Sequence, residues 1–217
     1  MDVIEAIRTR HSVRDFSSKP VPEETVMKIL EASLRSPSGG NSQPWEVFVA
    51  GGATLERIRK VYQERSQSGT GAPAGPPPLP AKYQERMATI RNERLQLLGL
   101  DPADPASGKV FAEWQARLFG APVVVIVCMD KALPASKSLD IGVFVQSVCL
   151  AALDCGVDSF IAGMLVSQPD VLRQELEIPE DLDIMIGIAL GYPSPDSIIN
   201  TYRSPRRTIQ EVVRYRS

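Results

Sequence analysis

Arg10, Ser12 and Arg14 stand two residues apart in the run RTRHSVRDF. Residues so spaced on an extended or turning backbone point the same way, so the three side chains can converge on one anion. Two guanidiniums and a hydroxyl suit a phosphate monoester; arginines that merely complement a helix dipole have the same spacing. Arg203, Arg206 and Arg207, in TYRSPRRTIQEVV, form a second basic cluster, either another phosphate ligand or a solvated patch. Between the two lies SPSGGNSQPWEVFVA, residues 36–50. Gly39 and Gly40 leave backbone groups uncovered there, and Ser38, Asn41, Ser42 and Gln43 offer donors and acceptors. Such a loop can grip a flat, heteroatom-rich ring, or serve as a hairpin-like connection capped by asparagine. Gly163 in FIAGM interrupts a strand-like run, which marks close approach of a ligand or a buried bulge.

Several chemistries are excluded. His11 is the single histidine, so a histidine metal cluster cannot form and a Ser-His-Asp relay would have to draw on an arginine-rich turn. The chain has no GxGxxG after a strand and no GxxxxGK[ST], which removes the Rossmann and P-loop nucleotide sites. A formal charge of -2 lacks the basic excess that nucleic-acid binding draws on, so no nucleic-acid partner is expected. Catalytic power is therefore expected from a bound cofactor. Cys128, Cys149 and Cys155 form neither an even set nor a CxxC pair and read as buried thiols. No segment is read as a signal peptide or a membrane span, and the expectation is a soluble, cytoplasmic protein.

The elements that must position these residues follow from periodicity. Residues 2–9 predict a helix with Val3, Ile4 and Ile7 on one face, and Pro22 with Glu23 and Glu24 opens a second. WEVFVA alternates as a strand, and Leu55, Ile58, Val61 and Tyr62 keep helical spacing after it. Residues 66–80, SQSGTGAPAGPPPLP, read as a long loop, with helical stretches at about 82–98 and 108–119 beyond it. PVVVIVC, 122–128, is the candidate central strand. A helix capped by Ser138 runs to Gly156, DSFIAGMLV reads as a strand, Ser167 caps a further helix, and DIMIGIALG is the last strand. From Tyr192 the tail is either loose or laid over another surface. The mixture predicts a single α+β domain, helices around one mixed sheet.

RTRHSVRDF, SPSGGNSQPWEVFV, LFGAPVVVIV, IAGM and NTYRSPRRTIQEVV occur in this order over nearly the whole chain. Together they resemble the nitroreductase family of flavin mononucleotide (FMN) enzymes. The resemblance implies a mainly antiparallel sheet flanked by helices and an intertwined homodimer with FMN at the interface. It assigns cofactor contacts to Arg10, His11, Ser12, Arg14, Pro37, Ser38, Asn41, Ala162, Gly163 and Arg206. Within that set, Arg10, Ser12 and Arg206 match phosphate ligands, and Arg14 matches a basic residue beside the flavin pyrimidine edge. Pro37, Ser38 and Asn41 match residues that reach across the dimer. Ala162 and Gly163 match the strand whose amides face flavin N5 and O4, although family members often carry an acidic residue where Ala162 stands. No side chain is expected to be catalytic, and no metal is expected.

The implied activity is NADPH or NADH reduction of nitroaromatic or quinone-type small molecules, by ping-pong hydride transfer through flavin N5. The region at about 66–118 would cover the pocket, and the tail at about 192–217 would wrap the partner. Other readings are a reductive dehalogenase of halotyrosine-like phenols, with Tyr83 and Glu85 in the relevant region, and a non-catalytic flavin-storage protein. Arg65, Arg86 and Arg94 are candidates for a 2′-phosphate, or ordinary exposed helix charges.

Overall fold

The computed structural model of the chain describes residues 2–70 and 79–217. In chain order the elements are α1 (Val3–Thr9), α2 (Glu23–Ser33), β1 (Glu46–Gly51), α3 (Gly52–Ser68), α4 (Ala81–Leu97) and α5 (Lys109–Ala116). Then follow β2 (Val123–Asp130), α6 (Ser138–Asp154), β3 (Asp158–Ala162), α7 (Pro169–Leu176), β4 (Leu182–Gly191) and α8 (Ile209–Val212). The four strands form one sheet in the order β1-β2-β4-β3, and every pairing between them is antiparallel. The mixed character predicted from the sequence is reduced to one isolated parallel bridge, Ser12 with Ser159, beside β3. That bridge brings the arginine-rich turn to the edge of the sheet.

β2 shows why its β-branched run sits at the centre. Val124, Ile126 and Cys128 belong to a core shared with Leu55, Ile58 and Tyr62 of α3 and Leu172 of α7. Val123, Val125, Val127 and Met129 belong to a second core shared with Ile29 of α2 and Phe144, Val145 and Val148 of α6. The period of two thus delivers alternate side chains to two buried layers, so neither face can be polar. Trp45, entering β1, stacks on Phe144 with ring centroids 4.9 Å apart. Cys128 and Cys149 lie in opposite layers and are buried, whereas Cys155 is half-buried; burial pushes the Cys128 thiol up to about 11.

The structure corrects several expectations. α3 continues to Ser68 and closes on left-handed Gly69, so the long loop begins later than Ser66; residues 71–78 of it lie outside the described residues. Ser138 is the first residue of α6 and its hydroxyl donates to the Ala135 carbonyl instead of capping. Gln168, not Ser167, occupies the cap position of α7, and neither supplies a side-chain cap. The run from Ala135 to Asp154 is long and apolar enough to cross a membrane, contrary to the reading of the sequence. Its Ile141, Phe144, Val148 and Cys149 are buried in the core layer shared with α2 and β2.

β3 ends at Ala162, short of the predicted Val166, because a 3-10 turn at Gly163–Val166 folds the chain back over β4. Ala162 pairs with Gly187. A Cβ on Gly187 would stand 2.5 Å from Leu165 Cβ, so the absence of a side chain there lets Leu165 seat on the sheet. Tyr62 holds the turn from the other side by donating its hydroxyl proton to the Leu165 carbonyl at 2.9 Å. Gly187→Ala is expected to lower stability by about 1–3 kcal/mol through overpacking, read as a fall in the urea midpoint with an unchanged slope. An unchanged midpoint would show that Leu165 moves aside without cost.

Candidate functional site

α1 ends at Thr9 with Arg10 as its C-cap, and the chain then runs along β3, with the Val13 amide donating to the Ser159 carbonyl at 3.2 Å. This path turns Arg14 inward, where it is only 7% exposed. Its Nη1 donates to the Ser12 carbonyl at 3.0 Å, and its guanidinium carbon lies 5.2 Å from the centre of the Phe160 ring. Arg14 Nε is buried without a hydrogen-bond partner, and no carboxylate pairs with the side chain among the described residues. Burial pulls the Arg14 pKa down to about 10, and the neighbouring charge of Arg94 adds to the fall. At neutral pH the group is still a cation.

Asn200 sets this position. Its Oδ1 accepts from the backbone amides of Arg14 at 2.9 Å and Asp15 at 3.2 Å, and its Nδ2 donates to the Asp15 carbonyl at 2.7 Å. Asp15 in turn takes an ion pair from Arg117 at 2.8 Å. Phe119, left-handed at φ 58° after Leu118 at φ 51°, is strained for a non-glycine residue. It is held there because Arg59 donates to the carbonyls of Arg117 at 3.0 Å and Ala121 at 2.7 Å, while the Phe16 amide donates to the Phe119 carbonyl. Phe119 meets Phe160 edge-on, with centroids 4.7 Å apart.

These residues open onto a cleft of about 710 Å³. Arg14, Phe119, Phe160, Ala162 and Gly163 contribute to its lining, as do residues of α4 and α5, among them Arg94 and Trp114. Gly163 is exposed, and a Cβ added to it would meet nothing within 4 Å, so the space above its backbone is open. Among the described residues no acidic side chain lines the cleft. A buried unpaired cation, an orphaned N–H, aromatic walls and an uncovered backbone together suit a flat ring that carries acceptor atoms or negative charge.

Of the residues singled out from the sequence, Arg14, Ala162 and Gly163 are brought together by the cleft. Arg10, His11 and Ser12 are half-buried next to it in sequence but outside its lining. Arg10 has no ion pair, and the Ser12 hydroxyl makes no hydrogen bond among the described residues, so both are open to a ligand. His11 Nδ1 lies 3.2 Å from the Thr9 carbonyl, and burial lowers its pKa. Arg206 is exposed and bonds only to the carbonyls of Ser204 and Pro205; Arg203 instead donates to the Asn200 carbonyl at 2.7 Å.

The glycine-rich loop is built but stands elsewhere. Pro37 and Asn41 are exposed, and Ser38 is half-buried with its Oγ accepting the Gln43 amide at 2.9 Å. Gly40, Asn41 and Gln43 are all left-handed. Lys137 at the start of α6 donates to the Gly39 carbonyl at 2.6 Å and to Ser42 Oγ at 2.8 Å, and Asp140 accepts the Gly39 amide at 3.2 Å. None of the loop residues lines the cleft of its own chain. The sequence reading missed Asn200, Lys137 and Asp140. Asn200 was within the NTYRSPRR motif, but nothing local announces a hydrogen bond to residue 14; Lys137 and Asp140 look like any i, i+3 helix pair.

The profile of the nitroreductase family matches residues 7–192. Among curated proteins, the chain is 32% identical to chloronitrobenzene nitroreductase of Comamonas testosteroni over 94% of this chain and 92% of that one. It is 34% identical to nitrobenzene nitroreductase of Ectopseudomonas oleovorans over 86% and 84%. Among solved structures, it matches the FMN- and NADPH-dependent nitroreductase NfnB of a Sphingopyxis strain with a TM-score of 0.91, 26% identity and full coverage of both chains. The FMN-dependent NfnB of Mycobacterium smegmatis in complex with NADPH matches with a TM-score of 0.89 and 27% identity, also over both whole chains. The motifs at 8–16 and 36–49 and the cleft beside β3 thus sit in a chain that belongs to the nitroreductase family.

Proposed function

We propose that the protein is an FMN-dependent oxidoreductase that uses NADPH or NADH to reduce nitroaromatic or quinone-type compounds. The observation that carries the reading is Arg14, a cation buried without a carboxylate and with an orphaned Nε, in the same cleft wall as Ala162 and Gly163. When bound, FMN would supply the redox chemistry, accepting hydride equivalents from a nicotinamide and giving them up to the acceptor. For a nitro group the balance is two reduced nicotinamides and two protons consumed, with one hydroxylamine and one water formed.

The chain's own groups bind and orient. Arg10, Ser12 and Arg206 hold the phosphate, with His11 in the same turn. The cation of Arg14 would stand by the pyrimidine edge, where it would favour negative charge on the ring. Backbone of Ala162 and Gly163, in the cleft wall, would face the reacting edge. No side chain has to exchange a proton with the ring, which agrees with a cleft lined by arginines, aromatics and methionines.

The reading includes a homodimer, with Pro37, Ser38 and Asn41 acting in the partner's site. Two features support it: the loop is stapled by Lys137 and Asp140 yet lies outside the lining of its own cleft, and Val3, Ile4 and Ile7 of α1 are each more than half exposed. The region at about 66–118 covers the cleft, supported by α4 and α5 in its lining, and the tail from about 192 wraps the partner. Unpaired Cys128, Cys149 and Cys155 agree with a cytoplasmic site of action.

Anaerobic addition of NADPH or NADH to the purified flavoprotein is expected to bleach the oxidised flavin band, with recovery on adding nitrobenzene. A yellow protein that neither nucleotide bleaches would favour flavin storage. Arg10→Ala and Arg206→Ala are each expected to weaken FMN binding about 10- to 100-fold, the equivalent of one charge-assisted hydrogen bond. Unchanged flavin retention in both would remove the phosphate clamp. Mixed dimers of Asn41→Ala and Arg10→Ala subunits should retain one intact site, giving about half the wild-type flavin content if the loop acts in trans; two equally impaired sites would place it in cis.

A further inference from the structure

The cleft contains more positive charge than a flavin ring requires. Arg86, Arg91 and Arg94 of α4 line it together with Arg14, and no aspartate or glutamate does. Among the described residues none of the four has an ion pair. Arg91 and Arg94 are both half-buried and lie three residues apart, on one face of a helix. Arg94 Nε is buried without a hydrogen-bond partner, and burial lowers its pKa. Glu93, next in sequence, lies outside the lining and accepts the Tyr202 hydroxyl proton at 2.5 Å, so its charge is felt by Arg94 without an ion pair between them. In a protein of net charge -2, this is a concentrated cationic lining beside the aromatic rings of Phe111, Trp114 and Phe160.

We propose that the preferred electron acceptor is an aromatic anion, a carboxylate- or phenolate-bearing nitroarene, whose charged group is held by Arg91 and Arg94. This rests on the oxidoreductase reading above and specifies its substrate. Guanidiniums crowded in one cleft repel one another, and an anion removes that repulsion while forming two charge-assisted hydrogen bonds. The anion has two chemical sources, the acceptor and the 2′-phosphate of NADPH. The acceptor is favoured because Arg94 sits beside Arg14, their guanidinium carbons 5.4 and 6.0 Å from the centre of the same Tyr202 ring, at the part of the cleft proposed above for the flavin ring. A 2′-phosphate belongs to the adenosine end of the dinucleotide, remote from its nicotinamide. A cleft of about 710 Å³ also suits a substituted benzene on a ring cofactor better than a whole dinucleotide.

The test compares 4-nitrobenzoate with 4-nitrobenzamide, equal in shape and differing in charge, in the holoenzyme. Wild type is expected to favour the benzoate by about 10-fold or more in kcat/KM. Arg91→Gln and Arg94→Gln should each bring that ratio toward one while the NADPH-to-NADH ratio of the same variants stays as in wild type. A wild-type ratio at or below one overturns the proposal, and needs no variant to fold. A collapse of the NADPH-to-NADH ratio with the benzoate preference intact assigns the arginines to the 2′-phosphate and also overturns it. Each assay is preceded by anaerobic bleaching with NADPH alone: a flavin that bleaches but shows no charge preference defeats only the acceptor inference, whereas a flavin that does not bleach defeats the oxidoreductase reading as well.

Discussion

A single buried amide side chain determines where the arginine-rich turn can lie. Asn200 satisfies two backbone amides and one carbonyl at residues 14 and 15, groups that would otherwise be unpaired inside the protein. Because those three bonds fix the backbone, Arg14 has no freedom to swing its charge to solvent, and the guanidinium stays in a wall of aromatic carbon. The rest of the cleft is arranged around that constraint. Phe160 and Phe119 pack at right angles next to the cation, and the strained backbone of Phe119 is maintained by carbonyl contacts to Arg59. The protein accepts a desolvated charge and two left-handed non-glycine residues in one place, the pattern of a site that is organised before its ligand arrives.

The glycine-rich loop follows the opposite strategy. Its residues are exposed, but its shape is fixed by Lys137 and Asp140, which bond to the two sides of Gly39. Gly40, Asn41 and Gln43 adopt positive φ and are exposed, outside the chain's own core. A rigid, polar and outward-facing loop is suited to recognition and adds little to the stability of its own fold.

Much of the fold was legible because it depends on local periodicity. The uninterrupted VVVIV run had to be covered on both faces, and the spacing of Leu55, Ile58 and Tyr62 had to make a helix with a buried side. Capping was less legible: Ser138 and Ser167 have the residue type of a cap, but competing bonds and a preceding turn decide where the helix starts. The end of β3 was not visible at all, since it depends on Leu165 meeting Gly187, two residues brought together only by the sheet. For the site, residue types drew attention to Arg14 and Gly163, and both line the cleft. They did not reveal the cationic face of α4, whose arginines have ordinary surface spacing, nor the long-range role of Asn200.

The same sandwich that hides α6 imposes an order on its own assembly. β2 has a neighbour in β1, made earlier, but its other neighbour β4 begins only at Leu182, after α6 and β3 have been synthesised. At about 5–20 residues per second, several seconds pass in which one edge of the most apolar strand and the most apolar helix are without their final cover. During synthesis α2, already complete, is the surface available to α6, and the two share Val26, Ile29, Phe144 and Val148 in one buried layer. An early α2–α6 pairing would cover the apolar face of α6 with a helix already made, before the last strand closes the sheet.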